Sequence, residues 1–152
     1  MLIDTHTHLY SKKFDHDREA MLARALQAGV EKMFLPAIDS ETHEAMLELE
    51  KTHPETCFAM MGLHPCSVNA AFEEELKIAE RWLGNRKFCA VGEMGIDLFW
   101  DKTFLNEQKE AFRRQAGWAK SLNFYRSLLY QDQPFIASVQ SLVNNPQKNR
   151  PV

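Results

Sequence analysis

Long apolar runs are missing from this sequence: none approaches the roughly 18 residues that a membrane-spanning helix needs. The opening stretch, Met1 to Leu9, is polar and carries two histidines, which excludes a signal peptide there. Cysteine is scarce and odd in number. Cys57, Cys66 and Cys89 match no zinc spacing and fit reduced thiols in a cytoplasmic protein. Excess positive charge is absent as well. A net charge of -3 and a pI near 6.1 leave no bulk attraction for nucleic acid, so any such contact must be local. The 152 residues fall short of the roughly 250 of an eight-stranded β/α barrel and leave room for about half of one. What is present is globular: 45% hydrophobic and 11% aromatic residues can furnish one domain with a core.

The apolar pattern alternates between short runs and helical periodicity. Leu2-Ile3-Asp4, Lys32 to Leu35, Cys57 to Met61 and Phe88 to Gly92 read as strands. The spacing predicts helices over Asp15 to Ala28, from near Ser40 to before Pro54, over Glu73 to Leu83 and over Leu105 to Leu122. In the first helix Asp15 or Asp17 is the expected N-cap, Met21, Leu22, Ala25 and Leu26 the buried stripe, and Gly29 the stop. Met46, Leu47 and Leu49, then Leu76, Ile78, Ala79, Trp82 and Leu83, are the expected core of the next two. Trp118 and Phe112 also fall at core spacings rather than as base-stacking platforms. The run Glu73-Glu74-Glu75 suits the first turn of a helix, where negative charge complements the dipole. Strand and helix in strict alternation imply parallel strands joined by right-handed crossovers, in four βα units.

The last 30 residues, Asn123 to Val152, differ in composition. They hold four of the 39 charges (Arg126, Asp132, Lys148 and Arg150), half of the six prolines, and neither Glu nor Gly. The runs Leu128-Leu129-Tyr130 and Phe135-Ile136-Ala137 are too short to assign.

Three segments could carry chemistry. In Asp4-Thr5-His6-Thr7-His8, strand alternation puts His6 and His8 on one face, the geometry a divalent cation needs from a rigid ligand pair; alternatively both simply face water. Gly92-Glu93-Met94-Gly95-Ile96-Asp97 follows the fourth strand, where parallel α/β folds place their sites. Glu93 there could bridge two metals or activate water, or the segment could be a glycine-rich turn with Asp97 as a turn or capping residue. His64, in Gly62-Leu63-His64-Pro65, could donate to a phosphate oxygen or be merely solvated. His16, His43 and His53 fall in or beside surface helices and read as bystanders.

Taken in order, these segments, with Gln108, Phe112 and Gln115 on the fourth helix, resemble the TatD family of metal-dependent hydrolases over nearly all of residues 1 to 122. Tyr10 departs from the pattern, which usually has Asp or Asn there. The resemblance implies an α/β fold, part of a TIM (β/α)8 barrel of the metal-dependent hydrolase type, with residues 1–122 as its N-terminal half. The tail, 123–152, is then an atypical segment, out of frame or disordered. The resemblance also implies phosphodiester hydrolysis, commonly of DNA, by metal-activated water, with one or two ions of Mg, Mn or Zn per site. His6, His8 and Glu93 would be metal ligands, Glu93 also catalytic, and His64 would bind substrate. Family members carry further ligand histidines and a late Asp. Here no His follows His64, and Asp132 is the only acidic residue after Glu110.

Three readings follow. The preferred one is a truncated hydrolase, weakly active or inactive, with DNA as the substrate of the family; the complete barrel is expected to be monomeric. A second is a non-catalytic half-barrel module that pairs with its own copy. A third is a different enzyme on a related scaffold, a small-molecule amidohydrolase or a PHP-type phosphoesterase, the latter disfavoured by the segment around Glu93.

Overall fold

The computed structural model describes residues 2–122, and the backbone of 125–131. Five parallel strands form one sheet in sequence order: β1 (Leu2–Asp4), β2 (Val30–Pro36), β3 (Cys57–Met61), β4 (Ala90–Asp97) and β5 (Tyr125–Gln131). Four helices connect them: α1 (Arg18–Gln27), α2 (His43–Thr52), α3 (Phe72–Asn85) and α4 (Leu105–Ser121). This is a run of βα units as half of a barrel would supply it, and it agrees with the expected fold class. The strand over Cys57–Met61 lies where the sequence placed it. The Leu128-Leu129-Tyr130 run falls within β5, which pairs with β4 in parallel. The expectations for 123–124 and 132–152, including the Phe135-Ile136-Ala137 run, lie outside the described residues.

Most of the core fills the space between sheet and helices. Met33, Leu35, Ala59, Met61 and Val91 from the strands meet Leu22, Met46, Leu49, Ala79 and Leu83 from the helices. β4 is buried almost throughout rather than on alternate residues, with Glu93 and Asp97 among its enclosed side chains. A smaller cluster of Leu63, Val68, Leu76 and Ala111 packs beside it, flanked by Phe72, Phe104 and Trp118.

Several expectations need correction. α1 starts at Arg18, not Asp15, because Lys12–Phe14 forms a separate 3-10 turn capped by Ser11. Asp17 is its N-cap by position, without a side-chain hydrogen bond. Leu26 is exposed, since the stripe that reaches the core is Met21, Leu22 and Ala25. His43 is no surface residue: it opens α2 and is buried, with neither ring nitrogen hydrogen-bonded. The largest shift concerns β4. It begins at Ala90 and runs to Asp97, so the Gly92-to-Asp97 segment is strand rather than the loop after it. Asp97 still makes a turn, its Oδ1 accepting the N–H of Phe99.

The carboxyl ends of β3 and β4 are held by two glutamines of α4. Gln115 accepts the N–H of Leu63 at 2.7 Å and donates to its carbonyl at 3.2 Å. Gln108 does the same for Asp97, at 2.8 and 3.1 Å. Each amide thus replaces a missing strand partner for both backbone groups of one residue. Gly62 sits beneath this clamp, where a Cβ would lie 2.7 Å from the Gly92 carbonyl carbon and 2.9 Å from Gln115 Oε1.

Candidate metal centre

Four side chains converge on one point: His6 and His8 from just beyond β1, His64 from just beyond β3, and Glu93 from within β4. Just beyond β1, Asp4 Oδ1 accepts the His6 backbone N–H at 3.0 Å, and Thr7 bonds through its N–H to Phe34 of β2. Farther along, Arg18 donates to the carbonyls of Leu9, Tyr10 and Ser11 and pins the segment that carries His8. Glu93 sits at a break in the β4–β5 register between Val91 and Met94, where the backbone turns to bond with Ala37 past β2. His64 is placed by its N–H on the carbonyl of Ile38.

The distances define one centre. Glu93 Oε2 lies 3.1 Å from His6 Nε2 and 3.2 Å from His8 Nε2, and those two nitrogens are 3.2 Å apart. Glu93 Oε1 lies 3.3 Å from His64 Nε2. The carboxylate is fully buried, and its two oxygens lack a hydrogen bond of proper alignment despite these approaches. Buried carboxylate oxygens left unpaired beside two imidazole nitrogens are what a cation can satisfy, and the ligand atoms of His6, His8 and Glu93 all lie within 4.8 Å of one another. Residues of this kind, imidazole and carboxylate, suit Zn, Mn or Mg.

Neighbouring hydrogen bonds give the imidazoles different roles. Tyr10 is buried and its hydroxyl donates to the carbonyl of Pro36, which can only accept. Burial, helped by the Glu93 charge, raises the Tyr10 phenol far above its ordinary value, so that proton stays. The phenol oxygen must therefore accept from His8 Nδ1, 2.8 Å away. His8 then carries its proton on Nδ1 and turns the Nε2 lone pair toward Glu93 and His6, as a metal ligand must. His64 is the reverse. Its Nδ1 accepts the N–H of Cys66 at 2.9 Å, so the neutral ring keeps its proton on Nε2 and offers a donor to the centre.

Electrostatics follow the same geometry. Burial alone would raise the Glu93 carboxyl, but the facing imidazoles of His6, His64 and His8 outweigh it and hold Glu93 well below the usual carboxylate range. His6 is raised by its approach to Glu93, against burial and with help from Asp4. The thiols take no part. Burial pushes Cys57 up to about 11, and both Cys66 and Cys89 up to about 12; Cys66 is also raised by donating to Asp97 Oδ2. All three cysteines are free, as expected.

The structure therefore brings His6, His8, Glu93 and His64 together. His16 stands apart beside Asp17, and His53 pairs with Glu19. Sequence reasoning singled out Tyr10 as a departure bearing on a hydrogen bond near His8, which is where it lies, but overlooked its bond to Pro36, and Arg18, Gln108 and Gln115 as supports. For Gln108 and Gln115 the signal was their place on the helix after β4. Among the described residues no helix is long and apolar enough to cross a membrane.

Comparison with known proteins supplies an independent frame. Residues 3–128 match the family described as TatD related DNase. An uncharacterized metal-dependent hydrolase of Bacillus subtilis, YabD, is 35% identical over 123 residues, covering 81% of this chain and 48% of that protein. The 3'-5' ssDNA/RNA exonuclease TatD of Dickeya dadantii is 30% identical over 114 residues, covering 75% of this chain and 43% of that protein. The crystal structure of YjjV, a TatD homologue of Escherichia coli K12, superposes with a TM-score of 0.76 at 35% identity, covering 84% of this chain and 49% of that one. The chain spans about half the length of the curated relatives it matches.

Proposed function

Because the chain belongs to the TatD related DNase family, we propose that it is built for metal-dependent hydrolysis of phosphodiesters, with single-stranded nucleic acid as substrate. The observation that carries this reading is the meeting of His6, His8 and Glu93 around buried carboxylate oxygens that no other described residue satisfies. His6 and His8 would ligate through Nε2 and Glu93 through Oε2. A divalent cation so held supplies Lewis acidity, making water a nucleophile at neutral pH and offsetting charge on the phosphoryl group. Glu93 Oε1 is left to accept a hydrogen bond from the attacking water and orient it. His64 Nε2–H donates to a non-bridging phosphoryl oxygen, a role its bond from Cys66 favours over ligation. Tyr10 keeps the His8 ring in the ligating tautomer.

Three protein ligands suffice for one cation with an open position. The donor state of His64 leaves the Oε1 side without an imidazole ligand among the described residues. Among the described residues the donors gather one cation rather than two, so turnover is expected to be weak. The test is titration of the chain with Mn or Zn, followed by assay on a base-free phosphodiester and on oligo-dT. Binding at about one ion per chain, lost in His6→Ala and Glu93→Gln, is the expected result. No specific binding, or binding that both variants retain, would refute the centre. Hydrolysis untouched by His6→Ala would refute its role.

A further inference from the structure

Phe99 and Trp100 are the two exposed Phe, Tyr or Trp side chains among those described, at 73% and 77%. Both lie in the loop that leaves the carboxyl end of β4, four residues of strand beyond Glu93, or about 13 Å at the usual rise. The loop is braced at both ends. Asp97 Oδ1 accepts the Phe99 N–H at 2.8 Å, and Asp101 Oδ1 accepts the N–H and hydroxyl of Thr103 at 2.8 and 2.6 Å. The two rings meet edge to face, with centroids 4.8 Å apart and planes 86° apart. That contact uses one ring face and leaves the others open. Trp100 also lines a cleft with Pro65 and Cys66, the two residues after His64, and with Asp97, Phe104 and Gln108. Trp100 thus shares a cleft with the two residues that directly follow His64 of the centre.

We infer that Phe99 and Trp100 form a stacking platform for a base of single-stranded nucleic acid whose phosphodiester lies at the His6–His8–Glu93–His64 centre; this rests on the proposed function. The occupant follows from charge and shape. A chain of net charge -3 cannot hold a polyanion by bulk attraction, so affinity beyond the phosphate contacts at the centre calls for a local, sequence-tolerant contact such as base–aromatic stacking. Open ring faces are of no use to a duplex, whose bases are already stacked, but suit an unpaired strand. Leu2, Ile3, Leu26 and Leu122 are exposed too, but they are aliphatic and offer no such face.

The test uses the full chain and two probes, oligo-dT and an abasic oligonucleotide of equal length, with binding read by Trp fluorescence and by filter retention. Expected are quenching by oligo-dT, affinity lower by about tenfold or more in Phe99→Ala/Trp100→Ala, and recovery in Trp100→Phe. The abasic probe should bind the unaltered chain as weakly as oligo-dT binds the double variant. Equal oligo-dT binding by the double variant, or equal binding of both probes by the unaltered chain, would overturn the platform. So would a self-association that these substitutions abolish while oligo-dT binding stays unchanged. Circular dichroism checks that the loop variants keep their fold. Hydrolysis of the base-free diester by the unaltered chain separates the two ideas: its failure alone refutes the catalytic reading, and loss of base dependence alone refutes the platform.

Discussion

Replacing Tyr10 by Phe removes one oxygen and with it the bonds to His8 Nδ1 and to the Pro36 carbonyl. His8 would then sample both neutral tautomers, and metal affinity should fall about tenfold, within the range known for outer-shell partners. Nitrogen-15 NMR of the ring and calorimetric metal titration check this; a His8 ring still protonated on Nδ1, with unchanged affinity, would contradict it. A second outcome concerns pH. Without metal, the His6–Glu93 pair contributes fully between the ordinary values of 4.5 and 6.5. Its contribution is lost as pH rises through the raised His6 value, and lost again as pH falls through the lowered Glu93 value. Metal binding needs neutral imidazoles, so affinity should instead climb as pH rises through the raised His6 value, over an interval above the ordinary 6.5. Titrations across that interval decide it, a flat profile counting against His6 as a ligand. At this scale the pairing of His6 with His8 was legible from their two-residue spacing, although both lie beyond β1 rather than in it, where bonds to Asp4 and Phe34 hold the segment. That Tyr10 bears on a hydrogen bond near His8 was legible too, but the tautomer it imposes was not, since that depends on Pro36, 26 residues away. Nor was the burial of His43, a polar side chain that only the packing around α2 encloses.

Between secondary-structure elements, the two α4 glutamines give the sharpest expectation. Gln115→Ala would leave the buried N–H and carbonyl of Leu63 unpaired, and Gln108→Ala those of Asp97. Each unsatisfied buried group costs about 1–3 kcal/mol, so either variant should show a clear drop in urea midpoint. Gln115→Ala should also weaken phosphodiester binding, because Leu63 precedes His64. A midpoint within error of the parent would dismiss the clamp. Gly62→Ala should destabilise too, by about 1–3 kcal/mol of overpacking, because the new methyl meets the backbone of β4 at Gly92. The rhythm of strands and helices was readable from apolar spacing, and α4 was found almost to the residue. β4 was misplaced for a physical reason: glycines at 92 and 95 resemble a turn, whereas here they serve a strand that bends to bring Glu93 back toward β2.

For the molecule as a whole, the open side of β1 is what the described sheet leaves unsettled. β1 ends the strand order, and its Leu2 and Ile3 are 57% and 44% exposed. An apolar, unpaired edge templates association with another strand, and a two-fold pairing of like edges closes on itself. The fold class could be inferred from element order, but the state of this edge could not. Strand pattern alone does not say which neighbour covers it. The chain is therefore expected to self-associate as its concentration rises, through β1 rather than through the metal centre. Sedimentation velocity over a hundredfold range, about 1 to about 100 μM, should show a shift from monomer toward dimer. Ile3→Lys, which places a charge on the edge without touching a ligand, should keep the chain monomeric and leave its metal affinity unaltered. Monomer throughout the range, or a dimer indifferent to Ile3→Lys, would mean that the edge is not adhesive.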